Sequence, residues 1–280
     1  MKIAKPHRLD KWTLAHRASA MLFLALLFLG RYEWFPFLKG SAASTRLFNA
    51  IGFADPLAAF EAMLASRQFT VALLLSAGLL FVLYALVGRA FCAWICPLGL
   101  LLELNDGLRT RVNRFLRRRK KSLPDFQLPR HTKYAVLVVF LILSLVVQLP
   151  IFATVSPINL LARSVIFGPD AGLLLVGAIV ASEYVSRRAW CIALCPLGAF
   201  YSLLGRFAPL RIQIDQENEK RGKQCGLCAY YCPMGIAVLD DHIKKGKVAV
   251  NDPECTRCGS CMDGCPRGNL RLGISNPKGF

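Results

Sequence analysis

A-F-C-A-W-I-C-P-L-G, residues 90–99, returns almost unaltered as A-W-C-I-A-L-C-P-L-G at residues 189–198. Each copy places two cysteines four residues apart, puts a proline behind the second, and follows an apolar run closed by an arginine, Arg89 or Arg188. A shift of 99 residues lays Arg89 on Arg188, Cys92 on Cys191, Cys96 on Cys195, Pro97 on Pro196, Leu98 on Leu197 and Gly99 on Gly198. The chain therefore carries an internal repeat, and each copy ends in a pair of thiols.

The segments around the repeat set the expected class. The chain is 55% hydrophobic yet has a formal net charge of +18, and the charge lies between apolar runs rather than among polar residues. That pattern favours a membrane protein with basic loops over a nucleic-acid-binding domain. Residues 68–88 and 133–154 have the roughly 20 apolar residues that a spanning helix needs. Residues 170–187 are shorter and carry Glu183. Residues 18–30 reach spanning length if Tyr32, Trp34, Phe35 and Phe37 continue them as an aromatic interface belt. The basic leader, short apolar core and G-S-A-A-S that follows leave a cleavable signal peptide as a rival reading of this first run.

The expected fold is membrane α-helical. Four transmembrane helices form two repeated hairpins, related as parallel repeats whose sites form where the repeats meet. A four-helix domain over 1–205 is followed by a small α+β ferredoxin-like domain over 206–280. Lys and Arg set the orientation: residues 1–17, 89–133 and 187 onward hold 30 of the 35 positive charges, which places both termini and the middle loop in the cytoplasm of an inner-membrane protein. The run Arg117-Arg118-Arg119-Lys120-Lys121 reads as a topogenic patch facing lipid rather than as a nucleic-acid site.

After Arg206 the apolar runs stop and cysteines cluster. Residues 255–266 read C-T-R-C-G-S-C-M-D-G-C-P, the C-x2-C-x2-C-x3-C-P ligand run of bacterial iron–sulfur proteins. Zinc sites more often use separated C-x2-C knuckles, and a cytoplasmic location argues against structural disulfides. Residues 225–233 read C-G-L-C-A-Y-Y-C-P, which matches the last three cysteines of the same run; the first position falls on Gly222. In two-cluster ferredoxins the last cysteine of each run serves the other cluster. Cys255, Cys258, Cys261 and Cys232 then hold one 4Fe–4S cluster. Cys225, Cys228 and Cys265 are left for a second that lacks a fourth ligand. That second site holds a three-iron cluster, borrows a ligand (Cys92, Cys96, Cys191 and Cys195 being available) or stays empty. Strand-like R-I-Q-I at 211 and K-V-A-V-N at 247 flank the two motifs.

The doubled C-x3-C-P-L-G, the four apolar runs, the C-terminal ferredoxin runs, A-D-P-L at 54–57 and N-L-L-A-R-S at 159–164 together resemble the NapH family. These are membrane-bound ferredoxin-type components of periplasmic nitrate reductase systems, related to MauN of methylamine utilisation and to the C-terminal half of NosR. The resemblance covers nearly the whole chain. It implies a quinol dehydrogenase electron-transfer subunit rather than a stand-alone enzyme. Its electrons come from the membrane quinol pool, and a NapG-like periplasmic ferredoxin-type protein receives them. The interrupted first run at Gly222 departs from the family pattern and weakens the link to nitrate reduction in particular. The alternative is an accessory or maturation protein of the MauN kind, without direct quinol turnover; a redox-sensing signalling module is a third class.

Other residues are read more plainly. Cysteines four apart share one face of a helix, so Cys92 with Cys96 and Cys191 with Cys195 read as redox or ligand thiols or as partner-docking thiols, against small apolar residues at a helix end or palmitoylation sites. Glu183, the one acid well inside an apolar run, is the candidate proton acceptor in quinol oxidation. Trp94 and Trp190 read as interfacial anchors, and His7, His16, His131 and His242 lack haem or copper spacing. No Walker or Rossmann glycine pattern and no acyl-transfer set is present.

Overall fold

The structure, a computed structural model, describes residues 11–29, 38–40, 44–47, 51–67, 71–120, 123–124, 126, 128–168, 171–215, 225–266 and 268–275. Gly222, His7, Lys121 and the aromatic residues at 32–37 lie outside the described residues.

The chain is mostly helical. In order come α1 (Lys11–Leu29), a three-stranded antiparallel sheet of β1 (Leu38–Gly40), β2 (Ser44–Leu47) and β3 (Ile51–Ala54), then α2 (Pro56–Ser66), α3 (Val71–Val87), α4 (Phe91–Trp94) and α5 (Pro97–Arg118). There follow α6 (Thr132–Val147), α7 (Ile151–Val155), α8 (Pro157–Phe167), α9 (Gly172–Ser182), a π-helical turn Trp190–Leu194 and α10 (Pro196–Gly205). The C-terminal part holds β4 (Leu210–Ile214), α11 (Leu227–Tyr231), a second π-helical turn Val238–Ile243, α12 (Ser260–Asp263) and β5 (Leu270–Ile274).

The apolar runs do not become membrane spans. Among the described residues, no helix is long and apolar enough to cross a membrane, and this corrects the expected fold of four transmembrane helices in two hairpins. The run 133–154 breaks because Gln148 turns left-handed at φ 59° and Pro150 follows, so α6 stops after 16 residues and α7 begins anew. The run 170–187 gives α9 only 11 residues, about 16 Å of helix, ending where Glu183 takes the C-cap. Helix α3 has 17 residues, about 25 Å. Helix α1 spends its first turns on Lys11, His16 and Arg17. The inside–outside topology built on four crossings loses its basis with them.

Two compact units form. One comprises Met1–Ser19, Leu83–Ile95 and Tyr201–Phe280. In it β4 pairs antiparallel with β5, from Leu210 opposite Ile274 to Ile214 opposite Leu270. The segment at 247, expected as a strand, gives only an isolated bridge, Gln213 to Ala249; Val250 N–H donates to Ile212 O and Ile214 N–H to Val248 O, each at 2.8 Å. The rings of Tyr84, Phe91 and Tyr201 cluster, with Tyr84 and Tyr201 centroids 4.7 Å apart. Trp12 and Thr13 N–H both donate to the Asp263 carboxylate, which anchors the start of α1 to α12.

The other unit comprises Ala20–Val82 and Cys96–Phe200. Here α2 packs on α6 and α7, and α8 packs on α9 and α5. Glu61 of α2 is 1% exposed and accepts N–H bonds from Phe152 at 2.7 Å and Ala153 at 3.1 Å, which satisfies two orphan donors in the first turn of α7. Burial raises the Glu61 pKa, and those two N–H bonds oppose the rise. Large apolar residues on α3 and α6, among them Leu75, Leu79, Val139 and Ile142, are exposed.

Candidate functional site

Each C-x3-C-P copy builds the same local device. Cys96 is the N-cap of α5, with Pro97 at the first helical position, and its Sγ accepts from Gly99 N–H at 3.4 Å. Cys195 stands just before Pro196 of α10, and its Sγ accepts from Gly198 N–H at 3.3 Å. The proline loses nothing there, because the first N–H groups of a helix have no partner inside it. Both sulfurs are buried at 6% exposure, whereas Cys92 on α4 and Cys191 in the π-helical turn are half-buried. The motif that reads as a thiol pair on one helical face is thus split, with its second cysteine capping a new helix.

The C-terminal cysteines gather around a cavity. Cys232, Cys255, Cys258 and Cys261 line it together, with Arg257 and the apolar side chains of Ile212, Met234 and Val250. The loop 255–259 runs into α12, and Gly259 makes the turn at φ 80°, where a Cβ would press on Trp12 at 2.6 Å. Cys232 ends α11 as its C-cap. Burial pushes the Cys255 thiol up to about 12, eased by the Arg257 charge, and pushes Cys261 well above the usual thiol range, with Cys258, Cys255, Cys232 and Cys228 adding to the rise. Thiolates in such a place need a cation. No disulfide joins any of the eleven cysteines. Among the described residues, no three His, Cys, Asp or Glu side chains stand close enough to hold a single metal ion. A cluster bonds each thiolate through a different iron, so its ligands stand further apart than those of one ion. The buried thiols of Cys232, Cys258 and Cys261 and the half-buried Cys255, on one apolar cavity, therefore fit a 4Fe–4S cluster.

Cys225, Cys228 and Cys265 form a second group. Cys228 is pushed up to about 11, first by burial, then by the charges of Cys265 and Cys225. The position of a fourth ligand by sequence, Gly222, is outside the described residues.

Glu183 lies in the other unit, 1% exposed at the end of α9. Among the described residues neither carboxylate oxygen makes a hydrogen bond of full geometry, the nearest donor being the Arg188 backbone N–H. Burial raises its pKa to about 7, against the opposing pull of Arg188. Close by, Tyr184 Oη donates to Asn105 Oδ1, and Arg187 grips Asp106 with bonds of 2.5–3.1 Å.

Buried Glu254, Ser202 and Arg257 escaped the sequence reading, and Arg89 entered it only as a repeat position. Arg89 pairs with Glu254, and Ser202 Oγ donates to the other Glu254 oxygen at 2.7 Å. Trp94 Nε1–H, read as an interfacial anchor, donates to the Arg257 backbone carbonyl at 3.3 Å. The one available signal was position: Arg89 recurs at Arg188 in the repeat, and Glu254 and Arg257 flank Cys255.

The family of 4Fe-4S binding domains matches residues 69–124 and 169–214, which contain the two C-x3-C-P copies, and the 4Fe-4S dicluster domain matches residues 223–269. Repeated iron–sulfur motifs and a cysteine-lined cavity define the class: an iron–sulfur electron-transfer protein of ferredoxin type. The Escherichia coli ferredoxin-type protein NapH is 30% identical over 92% of this chain and 88% of its own length. NapH of Haemophilus influenzae is 29% identical over 89% of the chain and 85% of its own length, and the methylamine utilization ferredoxin-type protein MauN of Paracoccus denitrificans 29% over 88% and 84%. The chain belongs to the NapH family of ferredoxin-type proteins. No solved structure matches it.

Proposed function

We propose that this protein is the quinol-oxidising electron-transfer subunit of a periplasmic reductase system such as nitrate reductase. The observation that carries the reading is the cavity shared by Cys232, Cys255, Cys258 and Cys261. Those four residues hold one 4Fe–4S cluster, which when bound takes up and passes on single electrons. Cys225, Cys228 and Cys265 hold a second cluster, 4Fe–4S or 3Fe–4S, whose fourth ligand is not Gly222. Cys92 and Cys191, half-buried, act as the redox, ligand or partner-docking thiols of the repeat; Cys96 and Cys195 cap helices.

Quinol oxidation releases two electrons and two protons. Glu183, buried and with a pKa raised by burial to about 7, is suited to accept one proton. The electrons leave toward a periplasmic ferredoxin-type partner of the NapG kind. The chain works at the bacterial inner membrane. Helix α5 supports that location: exposed Leu104, Leu108 and Phe115 share its outer surface with exposed Arg111, Arg114, Arg117 and Arg118, a composition suited to the interface of an anionic bilayer.

The similarity to MauN favours a second reading, an accessory iron–sulfur protein for enzyme maturation. Anaerobic iron and sulfide analysis with EPR, before and after a quinol analogue, separates the two. About eight irons with signals that grow on quinol addition are expected for two clusters. About four irons, indifferent to quinol, overturn the quinol reading and favour the accessory role.

A further inference from the structure

Arg257 is the third residue of the cluster loop, and its backbone is left-handed at φ 53°. A non-glycine residue held there costs on the order of 1 kcal/mol or more, and a glycine would relieve it. Strain of this kind persists where the side chain is used. The Arg257 side chain is 4% exposed. It donates from Nε to Leu210 O at 2.6 Å, from Nη1 to Cys255 O at 3.1 Å and from Nη2 to Gly205 O at 3.2 Å. All three acceptors are neutral carbonyls, and among the described residues no carboxylate pairs with it. The nearest acid in sequence, Glu254, is engaged by Arg89 and Ser202. The close approach is reserved by Gly88, at φ 73°, where any Cβ would fall on the Arg257 guanidinium.

A guanidinium keeps its charge when buried. The molecule therefore holds a fixed, unneutralised cation against the cavity that four cysteines line. Arg211, itself 5% exposed and bonded to Ala208 O, Arg206 O and Asn251, adds a second positive charge within electrostatic reach of Arg257.

We propose that Arg257 tunes the reduction potential of the cluster held by Cys232, Cys255, Cys258 and Cys261, its buried charge favouring the reduced state. The inference rests on the cluster-ligand reading given above. Reduction adds one electron, supplied by quinol in the proposed reaction and by dithionite in the test, and so one negative charge. A fixed cation in a low-dielectric setting favours the more negative state and raises the potential. In function this makes the cluster a better acceptor for quinol electrons. Arg257 is a positioning and tuning residue; it transfers nothing itself.

The test is an anaerobic, EPR-monitored dithionite titration of the full chain, with iron counted in each sample. Arg257→Gln keeps a carbonyl-directed donor and removes the charge. It is expected to retain its iron and to lower the reduction equilibrium constant at least tenfold, about 59 mV for one electron. An unshifted potential with iron retained overturns the proposal. Should Arg257→Gln lose its cluster, Arg257→Lys decides. A potential within about threefold of wild type then supports the charge mechanism, and a drop of tenfold or more overturns it. Cys258→Ala separates this from the underlying reading: a wild-type cluster that survives Cys258→Ala refutes the ligand assignment, whereas an unshifted Arg257→Gln leaves that assignment standing.

Discussion

The guanidinium of Arg89 and the carboxylate of Glu254 form a salt bridge at 1% and 5% residue exposure, one residue before Cys255 of the cysteine-lined cavity. The arginine that closes an apolar run is thus a partner of the C-terminal cysteine loop. Glu254→Ala leaves Arg89 buried without that partner, which costs about 3–5 kcal/mol. A double variant, Arg89→Met with Glu254→Leu, is expected to recover most of the loss. Denaturant titration followed by the visible iron–sulfur absorbance measures both, and a wild-type midpoint for Glu254→Ala contradicts the pairing.

Glu183 predicts a pH dependence with a definite sign. Its folded-state pKa is raised from 4.5 to about 7. The neutral form is therefore the stable one in the fold, and its contribution is complete below about 4.5. It is lost as pH rises toward and through 7, on the order of 3 kcal/mol in all. Glu183→Gln should abolish this slope, so that wild type and variant diverge between pH 4.5 and 7 in thermal melts. Parallel melting curves across that window count against the buried, raised carboxyl.

Cys96 and Cys195 cap helices through sulfur, so serine should replace them and alanine should not. Cys96→Ala and Cys195→Ala are each expected to cost about 1 kcal/mol. The serine variants should keep wild-type stability and wild-type iron. A serine variant that loses iron would instead identify its thiol as a cluster ligand.

Glu61 supplies both acceptors for Phe152 and Ala153 at the start of α7. Glu61→Ala orphans two backbone donors, at about 1–3 kcal/mol each. Glu61→Gln keeps one acceptor oxygen and should fall between. Equal stability of the three proteins refutes the role.

The sequence by itself determined the cofactor class and the family. The spacing of Cys255, Cys258, Cys261 and Cys265 is local information: a short loop carries all four cysteines, so their order along the chain is enough to point to iron–sulfur chemistry. The repeat at Arg89 and Arg188 was equally legible, because it needs only comparison of the chain with itself. Helix boundaries were not. Hydrophobic runs at 133–154 and 170–187 have the composition of spans, but the left-handed turn at Gln148, Pro150 and the cap at Glu183 cut them short. Composition reports how apolar a run is, while continuity depends on single backbone torsions. Only the tertiary structure set the Arg257 guanidinium against Gly88, Gly205 and Leu210, Arg89 against Glu254 165 residues away, and Glu61 beneath Phe152. These contacts join residues distant in sequence, and a buried charge is defined by what surrounds it, which no local pattern records.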